Sequence, residues 1–131
     1  YKNMLYVLAS DGTNSFLYDI NPSNHSITKT LTLTNIPNAK NLDIEDDVFY
    51  FTSNNNVYRL PLSSNAVPTQ AVFSVPNSGG AFYGFNVIDG RIYTSDAKDF
   101  TAGSEINIYS LTGSLQKTFT SGTGVNSFYK N

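Results

Sequence analysis

Residues 82–119 read FYGFNVIDG (82–90), RIYTSD (91–96) and, after a loop, EINIYS (105–110) and LQKTF (115–119). The four runs are rich in β-branched and aromatic residues, and Asp, Gly, Asn and Ser separate them. Short runs with this punctuation are typical of strands joined by tight turns. The stretch therefore predicts a four-stranded antiparallel meander.

The rest of the chain repeats this unit at a fixed spacing. The runs LYVLAS, VFYFTS and RIYTSD begin at residues 5, 48 and 91, so both intervals are 43 residues. A second series begins at Ala39, Phe82 and Val125 and keeps the same interval. A period of this length with four strands per unit is typical of the blades of a β-propeller.

The repeat frame predicts an all-β chain and divides it into parts of blades. Residues 1–38 supply strands two to four of one blade, 39–81 and 82–124 supply two full blades, and 125–131 supply the innermost strand of a further or closing blade. The third strands are predicted at 16–20, 57–60 and 106–109, and the fourth strands at 27–33, 70–75 and 115–119.

Three blades' worth of strands are too few to close a ring, since propellers typically have about four to eight blades. We interpret the chain as part of a larger propeller. The missing blades come either from an upstream segment or from a second copy of the chain. In both cases we expect that the chain is not a lone monomer, because the uncovered faces of its end blades would expose apolar side chains to solvent.

Composition excludes several classes of function. The 131 residues include no Cys, which excludes disulfides, thiol catalysis and Cys-ligated zinc. A net charge of −2 gives no attraction to nucleic acid. No apolar run approaches the ~20 residues of a membrane-spanning helix.

Candidate catalytic and metal-binding residues are few. His25 is the only histidine and has no second His or Cys for a zinc site, so we interpret it as a solvated turn residue. The acidic run at 43–47 offers oxygen ligands for calcium, but Asp46 aligns with Asp89 of an Asp-Gly hairpin turn. Asp96 and Asp99 could act as a glycosidase carboxylate pair only if their loop folds back, and nothing in the sequence supports such a fold. They are therefore interpreted as loop-stabilising residues. We therefore expect no metal and no cofactor.

The loops divide between the two ends of a meander. One end collects residues 11–15, 34–38, 54–56, 76–81, 96–104 and 121–124, whereas the other holds mostly tight turns and the 61–69 connection. The first end has the longest irregular loop, and loops on a rigid scaffold often carry binding residues. The candidate ligand-binding residues are Phe82, Tyr83, Asp96, Lys98, Asp99 and Phe100.

The third repeat also resembles a known family. Its Asp96-Ala-Lys-Asp-Phe100 segment, the following Gly103 and the Tyr83-Gly-Phe-Asn-Val87 strand are similar to the last full blade of YncE-like β-propeller surface lipoproteins of Bacteroidetes, of the DUF5074 type. The resemblance implies an extracytoplasmic location, at the outer-membrane surface or in the periplasm. Some family members resemble corrinoid-capturing proteins that sit beside outer-membrane transporters.

Three functional hypotheses follow. The first is a non-catalytic binding module that captures a small molecule, corrinoid-like or another nutrient, or a glycan through the loop end. The second is a structural or protein-interaction propeller that docks a transporter or an adhesin. The third is a hydrolase or lyase built on a propeller.

Overall fold

The computed structural model describes residues 1–76 and 82–131, and the predicted loop at 76–81 therefore lies almost wholly outside the described residues. The described residues form β-strands joined by turns and loops. The strands are β1 Leu5–Ser10, β2 Ser15–Asn21, β3 Ser26–Leu33, β4 Ala39–Glu45, β5 Val48–Ser53, β6 Asn56–Pro61, β7 Phe73–Ser74, β8 Phe82–Ile88, β9 Arg91–Asp96, β10 Glu105–Ser110 and β11 Leu115–Thr120. No helix long and apolar enough to cross a membrane occurs in this part of the chain.

The strands form three antiparallel sheets, which confirms the predicted fold class. The sheet orders are β1-β2-β3, β4-β5-β6-β7 and β8-β9-β10-β11, so each sheet is a meander of consecutive strands. The hairpins that enter β5 and β9 turn at Asp46–Asp47 and Asp89–Gly90, where both residues of each turn have positive φ. Asp and Gly tolerate this conformation, and such turns match the right-handed twist of the flanking strands.

The fourth strand predicted at 70–75 is shorter than expected. Only Phe73–Ser74 is a strand, paired with Val57 and Asn56 of β6. The N–H groups of Val72 and Val75 still donate to the carbonyls of Val57 and Asn55, at 2.8 Å each. Pro76 follows directly and has no N–H group, so the ladder cannot continue beyond it.

The predicted innermost strand at 125–131 is not a strand among the described residues. An innermost strand pairs with the second strand of its own blade, and residues 125–131 pair with none of the described strands. The segment instead uses side-chain partners: the Val125 N–H donates to Ser104 Oγ at 3.1 Å, and the Phe128 N–H donates to Asn86 Oδ1 at 2.9 Å. The segment is held against the third sheet by these bonds and joins no sheet among the described strands.

The chain divides into two compact units, Tyr1–Asn54 with Tyr58–Ala71, and Asn55–Val57 with Val72–Asn131. The first unit has a core of apolar side chains from β2 to β6 and the β3–β4 connection. Its buried members are Leu17, Leu33, Ile36, Ala39, Phe49, Phe51 and Leu60. Burying such side chains contributes most of the stabilising free energy of a unit this small.

The second unit contains the third sheet and the strand segments that precede it. Its core includes the buried side chains of Phe85, Val87, Ile92, Ile106 and Tyr109, which come from β8, β9 and β10. The Tyr109 and Phe73 rings lie 5.0 Å apart, which joins β7 to this core. In contrast, all six residues of β11 are exposed, as expected for an outermost strand.

Candidate functional site

The loop at 96–104 is held in shape by its own polar groups. One carboxylate oxygen of Asp96 accepts the Lys98 N–H at 2.8 Å. Asp99 Oδ1 accepts both the N–H and the hydroxyl of Thr101, at 3.1 and 2.7 Å. The Phe100 N–H donates to the Ala97 carbonyl at 2.9 Å. These Asx-type bonds make the long loop an ordered platform.

Two acidic groups engage the Lys98 ammonium. Its Nζ lies 3.7 Å from Asp96 Oδ2 and 3.4 Å from Glu105 Oε2. Lys98 therefore pairs with Asp96 and Glu105 rather than with Asp99. Asp99 has its own partner, since the Thr101 hydroxyl and N–H lower the pKa of the Asp99 carboxyl below its ordinary value.

The predicted aromatic residues separate into two groups. The rings of Tyr83 and Phe100 lie 5.1 Å apart in an edge-to-face arrangement. Both remain accessible, with 41% and 49% of their surface exposed. The Phe82 ring instead lies 6.4 Å from the ring of Phe85 and lines a cavity that residues of the third sheet share with Asn55, Val75 and Pro76. Tyr83 and Phe100 thus form a pair on the surface, whereas Phe82 is half-buried and faces the cavity.

The cavity has a volume of about 10 Å³. It is lined by Asn55, Val75, Pro76, Phe82, Thr94, Ser95, Asp96 and Asn107. Two of the predicted site residues, Phe82 and Asp96, therefore share it. Thr94 and Asn107 were missed by the sequence reasoning, although the repeat holds a signal: Thr94 lies 43 residues after Phe51, a fully buried core residue.

The acidic residues of the loop have partners within it. Asp96 and Asp99 both accept hydrogen bonds from their own loop. Within residues 1–76 and 82–131, no three His, Asp or Glu side chains form a group that could hold a metal ion. His25 is exposed, with φ of 58°, between β2 and β3. The candidate site thus comprises a small cavity lined by polar and apolar side chains and an exposed pair of aromatic rings.

A comparison with solved structures identifies the architecture. A crystal structure described as a quinonprotein alcohol dehydrogenase-like protein from Bacteroides thetaiotaomicron matches 92% of this chain with a TM-score of 0.72 and 16% sequence identity. The sheets are β-propeller blades. The chain spans 32% of the length of that protein. No protein-family model and no curated protein matches the sequence.

Proposed function

We propose that this chain belongs to a non-catalytic β-propeller module that captures a small polar molecule or a glycan through the loop end of its third blade. The observation that carries the proposal is the exposed Tyr83–Phe100 pair, presented by a loop that its own hydrogen bonds hold in place. The resemblance to YncE-like surface lipoproteins supports a cell-surface or periplasmic location and a nutrient such as a corrinoid as ligand.

Rigid exposed aromatic rings are efficient binding groups. Each ring offers a broad apolar face to the flat side of a sugar or a macrocycle, while the Tyr83 hydroxyl adds a hydrogen bond. Because the 96–104 loop is already ordered, little conformational entropy is lost on binding. The nearby Lys98, Asp96 and Glu105 side chains carry one positive and two negative charges, which suits an uncharged ligand better than a phosphate or a carboxylate.

The test is a titration of the purified chain with cyanocobalamin, haem and neutral oligosaccharides by calorimetry. We expect one class to bind, and Tyr83→Ala and Phe100→Ala each to weaken its affinity by about tenfold or more. The matched control is Phe119→Ala on β11, a ring of similar exposure at 44% that lies outside the site. Equal losses for all three variants, or no binding by any class, would contradict the proposal.

A second candidate function is a protein-interaction propeller that docks a transporter or an adhesin. The observation that favours it is β11, whose residues Leu115 and Phe119 expose 56% and 44% of their surface on an outermost strand. Exposed apolar side chains on an edge strand are a common docking feature. If Leu115→Lys abolished binding to a purified partner and left small-molecule binding unchanged, this second function would be favoured.

A further inference from the structure

One cross-strand pair changes its chemistry in the third blade. In the first sheet the position is occupied by Leu8 and Leu17, which are paired residues of β1 and β2. In the second sheet Phe51 of β5 stacks on Tyr58 of β6, with ring centroids 5.5 Å apart. Two blades thus fill this position with apolar or aromatic side chains that pack in a core.

The third blade has Thr94 and Asn107 at this position. Thr94 lies 43 residues after Phe51 and 86 after Leu8, and it pairs with Asn107 across β9 and β10. Both side chains are buried, with 1% and 8% of their surface exposed. A leucine or aromatic pair has been replaced by a smaller polar pair, and the cavity of about 10 Å³ lies against these two residues.

The Thr94 hydroxyl is the unusual group in this cavity. Its Oγ1 is buried and has no hydrogen-bond partner among the described residues. Asn107 is held by two neighbours, since its Nδ2 donates to Glu105 at 3.1 Å and its Oδ1 accepts from the Thr118 hydroxyl at 2.5 Å. An amide has two N–H donors and two lone pairs, so it can still bond to an occupant. A buried hydroxyl without a partner is costly and rare in native proteins.

We propose that the Thr94–Asn107 pocket is a hydroxyl-binding subsite of the third blade. In the free protein it holds one ordered water, because its volume of about 10 Å³ is close to the minimum for a single water molecule. When a ligand is bound, a hydroxyl of a sugar or polyol replaces that water. The binding of a ligand hydroxyl rests on the proposed function. It is supported by two residues of the cavity wall, the half-buried Phe82 and the exposed Pro76.

The water is tested first, without any ligand. A crystal structure of the free chain at atomic resolution is expected to show one ordered water within hydrogen-bonding distance of Thr94 Oγ1. Thr94→Val keeps the shape of the side chain and removes the hydroxyl. We expect this variant to melt at a lower temperature, because the water loses a partner; a dry pocket, or a higher melting temperature, would overturn the proposal. Thr52→Val calibrates the effect, since Thr52 Oγ1 is equally buried and is bonded to Asn41 and Lys40.

The ligand half is tested by titrating D-glucose into ¹⁵N-labelled protein and following amide shifts by NMR. We expect shifts at Thr94 and Asn107 that disappear in the double variant Thr94→Leu, Asn107→Leu, which restores the pair of the first blade. Shifts at Tyr83 and Phe100 alone would overturn the proposal that a sugar hydroxyl enters the pocket, but they would agree with the proposed binding function. If glucose shifts neither Thr94 and Asn107 nor Tyr83 and Phe100, the entry of a sugar hydroxyl into the pocket is again overturned. The calorimetric titrations then decide the binding function separately.

Discussion

Two buried serines link the third strand of a blade to the next innermost segment. Ser15 and Ser104 are both fully buried. The Ser15 hydroxyl donates to the Ile36 carbonyl at 2.7 Å and accepts the Ala39 N–H at 3.0 Å. Ser104 accepts the N–H of Val125, which lies 86 residues, or two repeats, after Ala39. The same type of bond thus marks the first residue of β4 and of the 125–131 segment.

Removing either hydroxyl leaves an N–H group without its partner, which is buried at Ala39 and half-buried at Val125. We expect Ser15→Ala and Ser104→Ala each to lower the free energy of unfolding by about 1–3 kcal/mol. Urea denaturation measures the change, and Ser23→Ala is the control because Ser23 lies in an exposed turn. Losses no larger than that of the control would mean that solvent replaces the bonds at no cost.

The Asp99 carboxylate gives the binding loop a dependence on pH. The Thr101 hydroxyl and N–H hold the pKa of Asp99 below its ordinary value of 3.8. The stabilisation is therefore complete above that ordinary value and is lost as the pH falls through the lower pKa of the folded loop. NMR titration is expected to show this low pKa, and Thr101→Val is expected to raise it toward 3.8. An unchanged pKa in the variant would contradict the role of Thr101.

At the scale of elements, β8 depends on a glycine at its third position. A Cβ at Gly84 would lie 2.6 Å from Ser95 Oγ and 3.0 Å from the Val125 carbonyl oxygen. Ser95 occupies this narrow space, accepting the Gly84 N–H at 2.8 Å and donating to the Val125 carbonyl. The strand can therefore approach the 125–131 segment only because residue 84 has no side chain.

We expect Gly84→Ala to reduce the free energy of unfolding by about 1–3 kcal/mol, because the added methyl group overpacks this contact. The accompanying signature is faster hydrogen exchange of the Phe128 amide, which Asn86 binds. Gly122→Ala is the matched control, since nothing lies within 4 Å of its Cβ position. A Gly84 variant as stable as this control would show that the segment is not packed as described.

At the scale of the whole molecule, two pairing surfaces are incomplete. Among the described strands, β1 has a hydrogen-bonded neighbour only in β2. Residues 125–131 have the repeat position of an innermost strand and no strand neighbour of their own. In the complete blades, the first residue of the innermost strand pairs with the last residue of the next, as in Ala39 with Ser53 and Phe82 with Asp96.

The same register would pair Val125 with Ser10. We expect two copies of the chain to associate through this pairing, with light scattering giving a mass above 14.4 kDa. Because the chain has no Cys, Ser10→Cys in one copy and Val125→Cys in the other provide a clean cross-linking test. Ser10→Cys with Asn131→Cys is the control in a mismatched register. A stable monomer with cooperative unfolding would contradict the prediction.

Most of the strands and their turns could be read from the sequence. Runs starting at 5, 48 and 91 are β1, β5 and β9, and Asp46 and Asp89 form the expected hairpin turns. The strand predicted at 70–75 is shortened to Phe73–Ser74, and this also has a local cause, because Pro76 has no N–H group. Strand periodicity and turn chemistry depend on neighbouring residues, so a single sequence carries them.

The candidate site depended on contacts between residues far apart in the chain. Phe82 and Tyr83 were predicted as one group, yet one lines the cavity and the other packs on Phe100. The Thr94 hydroxyl, which has no hydrogen-bond partner among the described residues, and the bond from Val125 to Ser104 become visible only in three dimensions. The repeat period specifies which residues face the interior, but a cavity and its hydrogen bonds arise from how side chains of different strands fill the space between them.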